Sequence, residues 1–163
     1  MSKTRNLVII VFFLLVFCYV HLYTKIPDPP YEIIQLDLSK LTQDILNQKQ
    51  PIIINDLIIN VNALVNTVFA YQYMMKDERF IKSSDLFTRS VSKYTILTSP
   101  FHNATIDIAT PDTKDTQNLQ YTTIKMAKNK VMILPPKWLY RTQDEKIKRI
   151  ILDDPITAVV YRF

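Results

Sequence analysis

The sequence predicts an N-terminal transmembrane helix followed by an α+β domain rich in strands. Three observations carry that prediction. Seventeen residues without a formal charge run from Leu7 to Tyr23. Two segments beyond them repeat apolar residues at helical spacing, and from Tyr94 onward the apolar residues fall in short β-branched or aromatic runs of strand length. With 163 residues, the chain has room for an anchor and one modest domain.

The anchor comes first. At 1.5 Å per residue, seventeen helical residues span about 25 Å, near the lower limit for crossing a bilayer. The run is apolar all round, whereas a helix on the surface of a soluble core carries one apolar stripe. A cleaved signal peptide needs small residues at its cleavage site, but Cys18 to Lys25 is bulky throughout. Lys3 and Arg5 precede the run and Lys25 is soon followed by Asp28. The positive-inside bias therefore places residues 1–6 in the cytosol, 7–23 in the bilayer and 24–163 beyond it. Tyr19, His21 and Tyr23 form an interfacial collar. Cys18 is the only cysteine, so no intrachain disulfide forms. Its place at the far end of the helix suits an apolar filler better than an acylation site.

Ile26-Pro27-Asp28-Pro29-Pro30 marks 24–35 as an extended spacer ahead of a domain over 36–163. Ser39 is a fair N-cap for a helix of about 39–48, with Leu41, Ile45 and Leu46 inward and Pro51 beyond its end. Ile52-Ile53-Ile54 reads as a buried strand. Val61, Leu64, Val65, Val68 and Phe69 predict a helix over 60–76 that takes Tyr71-Gln72-Tyr73 and Met74-Met75 into its packing. Strands follow at 94–97, 105–108, 121–126, 131–134 and 158–163, with a polar loop over 110–118. Residues 146–152 suit a helical face and a strand equally.

Composition narrows the chemistry. The chain has no glycine, so no Walker loop, dinucleotide fingerprint or G-x-S-x-G elbow exists. Two of its 20 Lys+Arg precede the apolar run, leaving 18 against 15 Asp+Glu beyond it with no basic block. That argues against a nucleic-acid partner. The 21 isoleucines fit a low-GC genome as well as any structural cause. His102 is the only histidine past the anchor, and neither Ser99 nor Ser92 beside it sits in a nucleophile elbow. It reads as a turn histidine hydrogen-bonded near Pro100. The paired carboxylates Asp153-Asp154 and Asp77-Glu78 are adjacent in sequence, so they point apart and read as turn charges rather than a glycosidase pair. Asn103-Ala104-Thr105 is a glycosylation sequon on the far side of the membrane.

Gln50-Pro51-Ile52-Ile53-Ile54 after a short helix, then Lys130-Val131-Met132-Ile133-Leu134-Pro135-Pro136-Lys137-Trp138, then Asp154-Pro155-Ile156-Thr157-Ala158-Val159-Val160-Tyr161, resembles the cupin-like, Jumonji-C-related jelly-roll proteins. The resemblance implies a double-stranded β-helix with N-terminal helices over much of 36–163. Active members bind Fe(II) through two histidines and a carboxylate, the first two written His-x-Asp or His-x-Glu, leaving positions open for oxygen and 2-oxoglutarate. Here Ala104 stands two residues after His102, and Tyr140 stands two residues past Trp138, where the family often has a histidine. Asp107 joined to His102 alone would make a weak site. The resemblance thus implies a scaffold with no metal, no cofactor and no catalytic residues. Small membrane-anchored proteins of this kind also resemble ones encoded by large DNA viruses of algae and protists.

Pro135, Pro136, Lys137, Trp138, Tyr140 and Arg141 mix cations with aromatics and suit either a partner contact or a structural turn. In the second case Trp138 plugs one end of the barrel while Lys137 and Arg141 stay in water. The function expected is that of a non-catalytic, single-pass structural or interaction protein, such as a viral membrane-to-capsid tether or minor virion component. Its partners are the bilayer, through 7–23, and another protein. A membrane-bound cupin-like enzyme of the Fe/2-oxoglutarate type, or a glycan-binding module, is the alternative.

Overall fold

The computed structural model describes residues 2–58, 60–112 and 119–160. Helix α1 (Ser2–Thr24) contains the 19-residue segment Thr4–Leu22, of mean hydropathy 2.2, none of it buried. Among the described residues it is the one helix long and apolar enough to cross a membrane, a property that a signal sequence near an N-terminus shares.

The domain begins with β1 (Ile34–Leu36) and β2 (Ile52–Ile54), paired in parallel. Between them lie a 3-10 turn at Leu38–Lys40 and α2 (Gln43–Asn47). The helix expected over 39–48 is therefore divided, because Leu41 and Thr42 are extended. Thr42 rather than Ser39 caps α2, its hydroxyl accepting the Ile45 amide at 3.4 Å. Helix α3 (Val61–Val68) starts at Asn60, whose side chain accepts the Ala63 amide at 3.0 Å.

Helix α3 stops well short of residue 76. Phe69 is its buried C-cap, but Tyr71 and Met74 are exposed in the following turn and do not belong to helix packing. Met75–Ile81 forms strand β3, which pairs antiparallel along its whole length with β10 (Ile147–Asp153). The ladder to β10 claims residues 75–81, since local propensity is a weak prior against tertiary pairing. The same ladder settles the ambiguous 146–152 run as strand.

Between them come β4 (Thr88–Arg89), β5 (Tyr94–Thr98), β6 (Ala104–Ala109), β7 (Tyr121–Met126), β8 (Val131–Leu134) and β9 (Leu139–Thr142). The strand expected at 158–163 is corrected: Pro155–Val160 is helix α4, and 161–163 lie outside the described residues, as do 113–118 of the expected loop. Asp154 accepts the amides of Ile156 and Thr157 at 3.1 and 2.9 Å. With Pro155 in the first turn, this N-terminal cap commits the β-branched run to helix.

Two sheets result, of order β1-β2-β8-β5-β10-β3 and β4-β9-β6-β7. Apart from β1 with β2, every pairing is antiparallel. The pairs nest: β6 with β7, β5 with β8, β4 with β9 and β3 with β10. Alternation along the strands separates two cores. Ile53, Leu97, Met132 and Ile147 meet Ile106, Ile124, Met126 and Tyr140 between the sheets. Their neighbours Ile52, Ile54, Ile96, Ile133 and Ile150 pack on the other face against Leu46, Val61, Leu64, Val65 and Phe69 of the helical layer.

Candidate functional site

The junction of helix α1 and the domain is built around Asp154. Its Oδ1 caps α4, while its Oδ2 accepts from the Tyr19 hydroxyl of α1 and from Lys93 Nζ, the latter at 3.1 Å. One carboxylate thus ties the last turns of α1, the start of β5 and the start of α4. The Lys93 and Asp154 side chains are only 9% and 13% exposed. Burial pushes the Asp154 carboxyl up, but the Thr157 amide, the Tyr19 hydroxyl and the Lys93 ammonium together outweigh it and hold it below the ordinary value. Neighbouring Asp153 accepts the Lys93 amide at 2.8 Å and the Thr157 hydroxyl at 3.2 Å. Helix α1 packs against α4 beside this cluster.

Lys49 closes the other side. Its ammonium donates to the carbonyl oxygens of Leu22 and, at 2.8 Å, Lys25, at the C-terminal end of α1 where the helix dipole is negative. Its own carbonyl accepts Trp138 Nε1–H at 3.0 Å. The residue that receives the end of α1 is therefore also the one that holds the Pro-Pro-x-Trp turn.

That turn is largely interior. Trp138 is 2% exposed and meets Tyr31 edge-on at 5.7 Å, and Pro135, Pro136 and Tyr140 are buried with it. Lys137 donates its amide to Ser90 O at 2.7 Å, and Ser90 returns its amide to Trp138 O at 2.8 Å. The cations are not simply solvated. Lys137 is half-buried, and burial with the Arg89 charge holds it below the ordinary lysine value. Arg141 bonds Asp107 at 2.8 Å while its guanidinium lies 4.7 and 4.8 Å from the ring centroids of Phe87 and Tyr121. That cation–π sandwich had no signal in the sequence, because Phe87 and Tyr121 are distant along the chain.

The residues weighed for catalysis are scattered. Asp107 is held by Arg141 and by the Thr123 hydroxyl at 2.7 Å, on the outward side of β6. His102 is half-buried in the β5–β6 bend, where its carbonyl accepts from Ser99 Oγ at 2.6 Å. Ser92 bonds Thr95 at 2.7 Å. Ala104 and Tyr140 both face the inter-sheet core, and the Tyr140 hydroxyl accepts from Arg149 at 3.1 Å. Asp77 binds Arg79, and Glu78 binds Lys148 at 2.6 Å and Lys76 at 3.1 Å, all along β3 and β10. Among the described residues no group of three or more His, Cys, Asp or Glu is arranged to hold a metal ion. Asn103 is exposed at the head of β6, its Oδ1 accepting the Lys128 amide at 3.0 Å. Cys18 is exposed on α1.

No family model matches the chain, and no curated protein matches it.

Proposed function

We propose that this is a non-catalytic, single-pass membrane protein whose β-rich domain is fastened to its anchor and offers a sheet edge to a partner protein. The observation that carries the reading is the Tyr19–Asp154–Lys93 cluster. A helix removed as a signal sequence would take Tyr19 with it and expose a carboxylate and an ammonium that the fold otherwise covers. Helix α1 therefore acts as a retained anchor, with residues 24–163 on the side opposite the short basic N-terminus.

The domain itself is a jelly roll in this reading. Nested pairing of β3 through β10 is that of one long hairpin rolled into two facing sheets, the arrangement that cupins share with capsid and lectin domains. Aliphatic side chains, Met126, Met132, Trp138 and Tyr140 fill the space between the sheets. That filling, with Ala104 and Tyr140 at the positions the cupin resemblance reserves for ligands, supports a scaffold rather than an Fe/2-oxoglutarate enzyme.

The partner surface lies at the β3 edge of the larger sheet. Met74, Met75, Phe80 and Phe101 are exposed there, with Phe80 and Phe101 stacked at 5.9 Å. An open edge bearing apolar residues is a usual place for another chain to dock. A virion membrane-to-capsid tether is the assembly that such a layout suits. Crosslinking the full chain in its native membrane tests this. The double substitution Met74→Asp and Phe80→Asp should abolish the principal crosslinked adduct and leave the unfolding free energy within about 1 kcal/mol of wild type, as two exposed positions allow. An adduct that survives both substitutions would contradict the assignment of this edge.

A further inference from the structure

We propose that Asn103 carries an N-linked glycan whose first N-acetylglucosamine lies in a groove between the head of β6 and the end of β7. The inference rests on the topology proposed above, which puts residues 24–163 on the side of the membrane where such glycans are attached. Asn103-Ala104-Thr105 is the only Asn-x-Ser/Thr triplet in the chain. Transfer forms a bond from Asn103 Nδ2 to C1 of the sugar as the bond between C1 and the diphosphate oxygen of a lipid-linked oligosaccharide breaks. The Nδ2 proton goes to a base of the transferase, and the diphosphate leaves with its lipid.

The fold accommodates that product. Asn103 is exposed, and its Oδ1 accepts the Lys128 amide at 3.0 Å. The bond holds the side chain by its oxygen, while among the described residues Nδ2, the atom that takes the sugar, has no hydrogen-bond partner. The site also stands clear of the junction with α1. Lys93, which meets Tyr19 and Asp154 there, lies at the foot of β5, and Asn103 lies beyond its head. The five residues of that strand separate the two ends by about 17 Å.

A groove of about 230 Å3 opens beside Asn103, which itself lines one end of it. Ligand pockets begin at about 300 Å3, so this one suits a single sugar ring rather than a whole oligosaccharide. Ala104 and Ala127 leave room in its walls, and Thr105 and Lys125 bring polar groups to sugar hydroxyls. Strand β7 is the open edge of the smaller sheet. A glycan seated at its end shields that edge from pairing with other chains. The β3 edge stays free, because Phe101 turns to Phe80 on that side while Asn103 is held to Lys128 on the other.

The test translates the full chain with endoplasmic-reticulum microsomes, beside a parallel chain that has a second acceptor triplet appended beyond Phe163. The native sequence should gain one glycan, seen as a single mass step that endoglycosidase H reverses. Thr105→Ala should lose the step and Thr105→Ser should keep it, a readout that does not depend on folding because attachment precedes it. On the folded product endoglycosidase H, which cuts beyond the first sugar, should act freely. Peptide-N-glycosidase F, which cuts at Asn103 itself, should act only after unfolding. Modification of the appended triplet in a chain whose Asn103 stays bare would overturn the proposal and leave the topology standing. Two bare sites would overturn the topology and the proposal together. Removal of the whole glycan from the folded chain as fast as from the unfolded one would contradict the seating of the first sugar.

Discussion

A chain without glycine must still make turns, and four of its described residues bear the cost. Lys49, Asn129, Lys137 and Lys146 have φ of 54°, 64°, 72° and 65°. Non-glycine residues in this left-handed region carry a penalty of about 1–2 kcal/mol, which asparagine tolerates best. Lys146 is exposed in the turn between β9 and β10. Lys146→Gly should therefore raise stability by about 0.5–1 kcal/mol once the greater unfolded-state freedom of glycine is subtracted. Asn129→Gly should gain less. Urea denaturation measures both, and a loss of stability at Lys146 would mean that its side chain makes a contact worth more than the strain. Trp138 shows the opposite case. Truncation to Ala should cost about 3–5 kcal/mol, because it empties a buried site beside Tyr31 and removes the hydrogen bond to Lys49. An unchanged midpoint would contradict its structural role. The burial of Trp138 was legible in the Pro-Pro-x-Trp spacing. The bond to Lys49 was not, since the two residues are 89 positions apart.

At the scale of elements, the sequence was read well where one local signal acted alone and poorly where two competed. The strands at 52–54, 121–126 and 131–134 emerge at the predicted bounds. Strand β3 was invisible because Lys76-Asp77-Glu78-Arg79 has no alternation. Those charges are paired within the sheet, Asp77 with Arg79 and Glu78 with Lys76 and Lys148. Helix α4 was mistaken for a strand because Ile156 to Val160 is largely β-branched, although Asp154-Pro155 before it is an N-terminal cap in plain view. The same aspartate gives the junction its pH dependence. Its folded pKa lies below the unfolded value, so the stability it contributes is fully present above the unfolded value near 3.8 and is lost as pH falls through the folded one. Asp154→Asn retains a capping oxygen but loses the charge-assisted bond to Lys93. It should destabilise the domain by about 1.5–3 kcal/mol at pH 7. The difference from wild type should close on acidification below about pH 4. A difference that is independent of pH would show that the carboxylate charge does not hold the junction.

Over the whole molecule, the order of an apolar helix and then a β-rich domain was legible from charge and periodicity. The layering was not, because β1, β2 and the two short helices interleave ahead of the strands, and the sheet orders depend on pairings as far apart in the chain as Ile52 with Ile133. The junction was the least legible part. Tyr19 was read as an interfacial collar residue and Asp154 as a solvated turn charge, yet they meet across 135 positions. Such long-range polar partners leave no spacing signal. The proposal that α1 is a permanent part of the protein rests on them. The most direct test is the intact mass of the protein recovered from alkali-washed membranes. A retained α1 predicts a chain of 19.1 kDa, apart from any initiator-methionine loss or added glycan. A mature chain beginning near Thr24, released without its first helix, would contradict it.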